Sequence, residues 1–186
     1  VGAFVSVLLA WAYGNLSLKT LKEAFLQTTL VSSMILIIVA AAFVFTGTFM
    51  LVGGGAVVKD LLLNLPLGPM GILVIMILTF FLFGLFMEWV GIVPILVPIF
   101  TPVLAQLGFD PLWAAMLFCV AMQTSFLTPP MAPALFYIKG VAPPQIQFGP
   151  HIVRGVLPFI GIQVIGLALL TLWPDLVLWL PHMMFH

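Results

Sequence analysis

Charged side chains are scarce in this sequence. Of its 186 residues, five are basic and five are acidic, while 64% belong to the apolar set. Soluble domains usually carry about 25% charged residues, so this chain has too few polar groups to cover a surface that faces water. The scarcity excludes a soluble globular domain and indicates that lipid is the solvent. It also excludes a nucleic-acid partner, because phosphate binding needs clustered lysine and arginine.

Cysteine is equally scarce, and no histidine cluster accompanies it. The single cysteine, Cys119, cannot form an internal disulfide, and the three histidines have no glutamate at metalloprotease spacing. Ser125 has no histidine or lysine at a helical spacing that could activate it as a nucleophile. The sequence therefore predicts no enzyme, no catalytic residue and no cofactor.

Long stretches without any charge take up most of the chain. Five of them have about 20 residues or more, the length that a helix rising 1.5 Å per residue needs to cross a hydrocarbon core of roughly 30 Å. They lie at 24–58, 61–87, 89–109, 111–138 and 155–174. The apolar residues 1–12 resemble the end of a further span rather than a signal peptide. We expect an all-α integral membrane protein and a C-terminal fragment of a longer one.

Glycine and proline divide the predicted path into three parts. Residues 1–65 hold a partial span, an amphipathic cytoplasmic segment capped by Ser17, a spanning helix at 30–52 and an outer loop. Residues 66–140 form a transport segment with a helical hairpin at 70–102 and a broken helix at 111–138. Residues 141–186 hold a loop up to Arg154, the last span and an interfacial segment. Prolines 94, 98 and 102 disfavour one straight return arm in the hairpin, whose tip we place near Glu88.

The adjacent pair Pro129 and Pro130 predicts a discontinuous helix. Irregular backbone at membrane depth persists only inside protein or along a cavity. Hydroxyl and carbonyl oxygens at such a break suit a sodium ion, and the start of the next half-helix suits a carboxylate. We predict Ser125 and Thr128 as sodium ligands. The whole predicted cation and substrate site is Glu88, Gly91, Gln123, Thr124, Ser125, Thr128, Pro129 and Pro130.

Each of these features also has a simpler interpretation. The polar side chains before the break could bond helix to helix, as hydroxyls and amides commonly do in membranes. Glu88 could lie at a hairpin tip wetted by water, with no role in binding. A purely structural membrane subunit is the corresponding alternative for the whole chain.

The few charges also predict an orientation. Lys19, Lys22, Lys139 and Arg154 fall on one face of the membrane, and Lys59, Asp60, Asp110 and Asp175 fall on the other. The positive-inside rule places the first face in the cytoplasm. The hairpin then enters from the outer face, and the C-terminus is periplasmic.

Several sequence blocks resemble one family of membrane proteins. FCVAMQTSFLTPP at 118–130 and ALFYIKGVAP at 134–143 are similar to the C-terminal half of the large permease subunit of tripartite ATP-independent periplasmic (TRAP) transporters. GLFMEW at 84–89, LGFDP at 107–111 and RGVLPF at 154–159 support the resemblance. The segment QTSFLTPP at 123–130 resembles the corresponding segment of the branch labelled mannitol or chloroaromatic compound transport.

The resemblance implies an elevator-type, sodium-coupled carrier in the bacterial inner membrane, of which this chain is one inverted repeat. Such a carrier imports an organic acid delivered by a periplasmic binding protein and works with a small membrane subunit. A sodium- or proton-coupled elevator-type anion carrier without a binding protein is the alternative. The sequence departs from the family pattern at Glu88, Ala121 and Ala132, where aspartate, asparagine and glycine are frequent, and at the additional Pro133.

Overall fold

The computed structural model describes residues 2–14, 17–129, 132–143 and 145–185, and these residues form helices joined by short turns, with no strand among them. The chain divides into two compact units, Val1–Ala41 and Ala42–His186. Within the described ranges, three helical stretches are long and apolar enough to cross a membrane: Leu18–Leu51, Trp89–Leu107 and Phe148–Leu172. The prediction of an all-α membrane protein is confirmed.

The first unit contains helix α1, Gly2–Ala12, and most of helix α2, Leu18–Leu51. Ser17 caps α2 as predicted, since its hydroxyl accepts the Thr20 N–H at 3.1 Å. The predicted separate amphipathic segment and span at 30–52 are one continuous helix instead. No glycine or proline lies between Leu18 and Thr46, and the Thr28 hydroxyl donates to the Ala24 carbonyl at 2.8 Å within the helix. Nothing local therefore interrupts it.

The second unit contains the end of α2 and the remaining helices. These are α3 (Gly54–Leu63), α4 (Pro69–Gly84), α5 (Trp89–Leu107), α6 (Pro111–Leu127), α7 (Pro133–Val141), a π-helical turn (Phe148–Val153), α8 (Arg154–Leu172) and α9 (Asp175–Phe185). Gly53 separates α2 from α3 with φ 85°, a conformation that glycine adopts without strain. Pro111 opens α6 as predicted, and the Asp110 carboxylate accepts the N–H groups of Leu112 and Trp113 at 2.8 and 3.0 Å.

The predicted loop at 139–154 is partly helical. Its end forms the π-helical turn, in which the Ile152 N–H donates to the Gln147 carbonyl at 3.4 Å. The His151 Nδ1 accepts the Gln147 N–H at 2.9 Å and caps this turn. Lys139 donates to the Ile146 carbonyl at 2.7 Å across the same segment. Glycine and proline predicted irregular backbone here, but these local bonds shape it into helical turns.

Helix α5 also differs from the expectation of a proline-interrupted arm. Pro94, Pro98 and Pro102 all lie inside one 19-residue helix. Each proline removes the donor for the carbonyl four residues earlier. The spacing of four places the affected carbonyls on one side of the helix, and the carbonyl of Pro94 accepts the Thr46 hydroxyl of α2 at 3.0 Å. The helix continues because the lost hydrogen bonds all lie on one side of it.

Packed aromatic rings join α4, α5 and α6. Phe80 stacks on Phe118 with ring centroids 4.3 Å apart and meets Phe100 edge-on at 5.8 Å. Each such pair contributes about 0.5–1.5 kcal/mol beyond its area. Trp113 of α6 donates its indole N–H to the Leu170 carbonyl of α8 at 2.8 Å. Because lipid is as apolar as these side chains, close packing and this bond hold the helices together.

Candidate functional site

The end of α6 carries three hydroxyl groups that all donate back to backbone carbonyls. Thr124 donates to Val120 at 2.8 Å, Ser125 to Met122 at 2.6 Å and Thr128 to Thr124 at 2.8 Å. A hydroxyl has one donor and two lone pairs. Because each hydroxyl hydrogen is already donated to a backbone carbonyl, the lone pairs of the oxygen remain available to accept a hydrogen bond or to coordinate a cation.

These three hydroxyls differ in burial. Thr124 and Ser125 are each only 1% exposed, whereas Thr128 is half-buried. The backbone of Thr128 is extended, with φ −97° and ψ 127°, and its N–H donates to the Ser125 carbonyl at 3.0 Å. A proline disfavours the helical region for the residue before it, and here two prolines follow in succession, so α6 ends at this point.

Helix α6 ends at Leu127 and α7 begins at Pro133, which leaves a break between them. Pro129 is exposed, and Pro130, a predicted site residue, lies outside the described residues together with Met131. Ala132 is 1% exposed and has φ 32° and ψ 59°, while its carbonyl accepts the Leu135 N–H at 2.9 Å. A left-handed alanine is strained by about 1–2 kcal/mol. Glycine at this position would remove that strain.

The hairpin end of α4 lies directly against the end of α6. A Cβ atom on Gly84 would overlap the Ser125 side chain, so only glycine permits this approach. At 1.5 Å per residue, helices of 16 and 17 residues cover about 24–26 Å. A helix of that length that starts at one membrane surface ends inside a core of roughly 30 Å. The hairpin turn and the helix break thus come together beside Ser125.

The residues of the hairpin tip have different environments. Glu88 is exposed, and its side chain does not cap α5. Gly91 is buried, and its N–H donates to the Glu88 carbonyl at 3.0 Å. Trp89 lines a cavity of about 300 Å³ with Cys119, Met122, Gln123 and Phe126 of α6. The structure brings Gln123 to the tip at Trp89, on a different side of α6 from buried Thr124 and Ser125.

Two contributing residues were not in the predicted site. Gly84 permits the contact with Ser125, and Thr46 bonds to the proline-rich arm α5. In the sequence, Gly84 stands out only as the first residue of the GLFMEW block, and Thr46 only as part of a Thr-Gly-Thr step. Among the described residues, no three His, Cys, Asp or Glu side chains meet in a possible metal cluster.

Comparison with known proteins identifies relatives of this chain. The family model described as "Tripartite ATP-independent periplasmic transporter, DctM component" matches residues 1–176. The chain is 30% identical over 127 residues to the C4-dicarboxylate TRAP transporter large permease protein DctM of Vibrio cholerae, covering 68% of this chain and 27% of that protein. It is 26% identical over 179 residues to the 2,3-diketo-L-gulonate TRAP transporter large permease protein YiaN of Escherichia coli, covering 96% and 41%.

A third relative is the sialic acid TRAP transporter large permease protein SiaM of Vibrio cholerae, which is 28% identical over 171 residues, or 92% of this chain and 39% of that protein. The chain therefore spans between about a quarter and two fifths of the length of these relatives. No solved structure gives a significant match. The relatives are permease subunits and not enzymes, in agreement with the sequence analysis.

Proposed function

Since the chain belongs to the family of the DctM component of TRAP transporters, we propose that it is the part of a large permease subunit that binds the coupling ion during sodium-driven import of an organic acid. The membership confirms the resemblance found in the sequence. The finer assignment to the mannitol or chloroaromatic branch stays a prediction.

The observation that carries this proposal is the group of hydroxyl oxygens that lies directly before the helix break. The hydroxyls of Ser125 and Thr128 donate to carbonyls of their own helix, at 2.6 and 2.8 Å. Their lone pairs are the kind of ligand that a hard monovalent cation prefers. Ser125 lies under Gly84 of the hairpin, so movement of the hairpin end would open or close access to this oxygen. The proposed site is a sodium site completed and gated by the hairpin.

The substrate class is proposed from the relatives. The three named permeases are assigned to C4-dicarboxylates, 2,3-diketo-L-gulonate and sialic acid, all of which are organic acids. The positive end of the helix dipole at the start of a half-helix favours a carboxylate, and α7 begins directly after the break. We assign the carboxylate of the substrate to this region, near the hairpin tip with Glu88 and Gly91.

The proposed partners and location follow from the same family. The permease would lie in the bacterial inner membrane as a multi-pass protein, beside a small membrane subunit, and would receive its substrate from a periplasmic binding protein. The C-terminus would be periplasmic.

Single cysteines at Asn64 and Gln147, with Cys119 replaced, test this orientation. An impermeant thiol reagent outside should label only the Asn64 position, and labelling only at Gln147 would reverse the topology.

Uptake by the full-length permease and its small subunit in liposomes tests the function. Radiolabelled succinate, 2,3-diketo-L-gulonate and sialic acid are supplied with and without a matched periplasmic binding protein, under a sodium gradient or an equal potassium gradient. We expect uptake of at least one acid that needs both sodium and the binding protein. Uptake without the binding protein, or equal uptake under the sodium and potassium gradients, would instead support the other elevator-type anion carriers.

A further inference from the structure

The return arm α5 contains a stripe of backbone carbonyls that its prolines deprive of donors. Pro94, Pro98 and Pro102 lack the N–H groups that would bond the carbonyls of Val90, Pro94 and Pro98. An unpaired backbone carbonyl is costly in a membrane, where water does not replace the missing bond. A side chain that supplies a donor to this stripe would stabilise the arm.

Thr46 supplies such a donor. It is 5% exposed, and its hydroxyl donates to the Pro94 carbonyl at 3.0 Å, across 48 positions of sequence. The usual alternative for a helical threonine is the carbonyl four residues earlier in its own helix. That alternative is taken by Thr28, Thr29, Thr48, Thr79, Thr101, Thr124, Thr128 and Thr171. Thr46 donates to another helix instead. Its acceptor, the Pro94 carbonyl, is the one whose usual helical donor would be the N–H that Pro98 lacks.

We propose that Thr46 is a positioning residue that replaces the backbone donor missing at Pro98 and thereby holds the hairpin tip in place for transport. Pro94 lies five positions after Trp89, so the bond acts within about one and a half turns of the tip. Trp89 in turn lines the cavity with Gln123 of α6. The effect on transport rests on the proposed function, whereas the effect on helix stability does not.

A double-mutant cycle on the full-length permease tests this assignment. Thr46→Val keeps the shape and removes the donor, Thr46→Ser keeps the donor, and Pro98→Ala returns an N–H to the Pro94 carbonyl within α5. Thr48→Val is the matched control, because that hydroxyl donates to Val44 in its own helix at 2.9 Å and is exposed. The readouts are the thermal unfolding midpoint in detergent, and kcat and KM for uptake.

Thr46→Val should lower the unfolding midpoint and reduce kcat about two- to tenfold, the range expected for one lost hydrogen bond, with KM nearly unchanged. Thr46→Ser should behave as wild type, and Thr46→Val should have little effect in the Pro98→Ala background. Equal effects of Thr46→Val with and without Pro98→Ala would overturn the proposal, as would equal effects of Thr46→Val and Thr48→Val.

A variant that does not fold and a wild-type permease that does not transport are also informative outcomes. If Thr46→Val alone does not fold, the double variant with Pro98→Ala must recover folded protein, and failure to recover it would count against the proposal. If the wild-type permease shows no sodium-driven uptake, the proposed function fails. The stability cycle then still decides whether Thr46 replaces the donor missing at Pro98.

Discussion

Helix α5 and the break between α6 and α7 respond to proline in opposite ways. Helix α5 contains three prolines and remains one helix from Trp89 to Leu107. Helix α6 meets Pro129 and Pro130 and ends at Leu127, and the next helix begins at Pro133. The number of prolines therefore does not decide where a membrane helix stops.

Spacing explains the difference. Prolines four residues apart each remove one bond on the same side of α5, and the helix keeps its other bonds. Adjacent prolines act on consecutive residues, because each one lacks the N–H of its own position and disfavours the helical region for the residue before it, so both effects accumulate in one turn. Thr128, which precedes Pro129, has that conformation. The same residue type thus removes single hydrogen bonds from one helix and terminates the other.

Removing the cause of the break should have the largest effect. Pro129→Ala lets Thr128 enter the helical region and lets α6 continue, which would displace the oxygens of the proposed site. We expect sodium-driven uptake to fall at least about tenfold, equivalent to ~1.4 kcal/mol or more. Pro102→Ala in α5 is the matched control and should stay within about twofold of wild type, because α5 is already helical. Equal uptake in both variants would show that the break is not needed for coupling.

The next largest effect is expected where the hairpin contacts the break. Gly84→Ala places a methyl group on the Ser125 side chain, and such overpacking costs about 1–3 kcal/mol. Both the unfolding midpoint and sodium-driven uptake should fall. The control is Gly47→Ala, where a Cβ would have no neighbour within 4 Å. A Gly84→Ala protein as stable and active as Gly47→Ala would mean that the hairpin does not cover Ser125.

Thr128→Val tests the side-chain oxygen at the break. The sodium concentration for half-maximal uptake should rise several-fold, on the order of 1–2 kcal/mol for one lost polar contact. Thr79→Val is the control, since both hydroxyls are part-buried and donate to a carbonyl four residues earlier at 2.8 Å. If Thr128→Val leaves sodium dependence unchanged but Pro129→Ala abolishes it, the backbone carbonyl of Thr128 is the ligand. Unchanged sodium dependence in both would place the sodium site elsewhere.

The smallest effect concerns the strained residue at the end of the break. Ala132→Gly should stabilise the protein by about 1 kcal/mol, because glycine adopts a positive φ without the cost that alanine bears. Ala134→Gly, inside α7, should instead destabilise it by about 1 kcal/mol. Unfolding in denaturant measures both variants. A destabilising Ala132→Gly would indicate that Ala132 is not left-handed in the intact permease.

Sequence reasoning predicted the elements that depend on neighbouring residues. The Ser17 cap and the start of α6 at Pro111 both follow from local chemistry, and the structure contains both of them. It divided α2 incorrectly, because charged residues near a helix end resemble a separate amphipathic segment. The three-part division of the chain and the roles of the site residues stay predictions.

The lipid environment, the helical fold and the interruption after Thr128 follow from composition and local sterics, which any conformation of this chain must obey. The donor that reaches the proline-rich side of α5 and the burial of Ser125 depend on contacts between distant segments. Thr46 meets the Pro94 carbonyl 48 positions away, and Gly84 covers Ser125 from another helix. Such contacts arise only when the helices pack, because no local pattern specifies which side chain will reach a carbonyl that a proline has left without its donor.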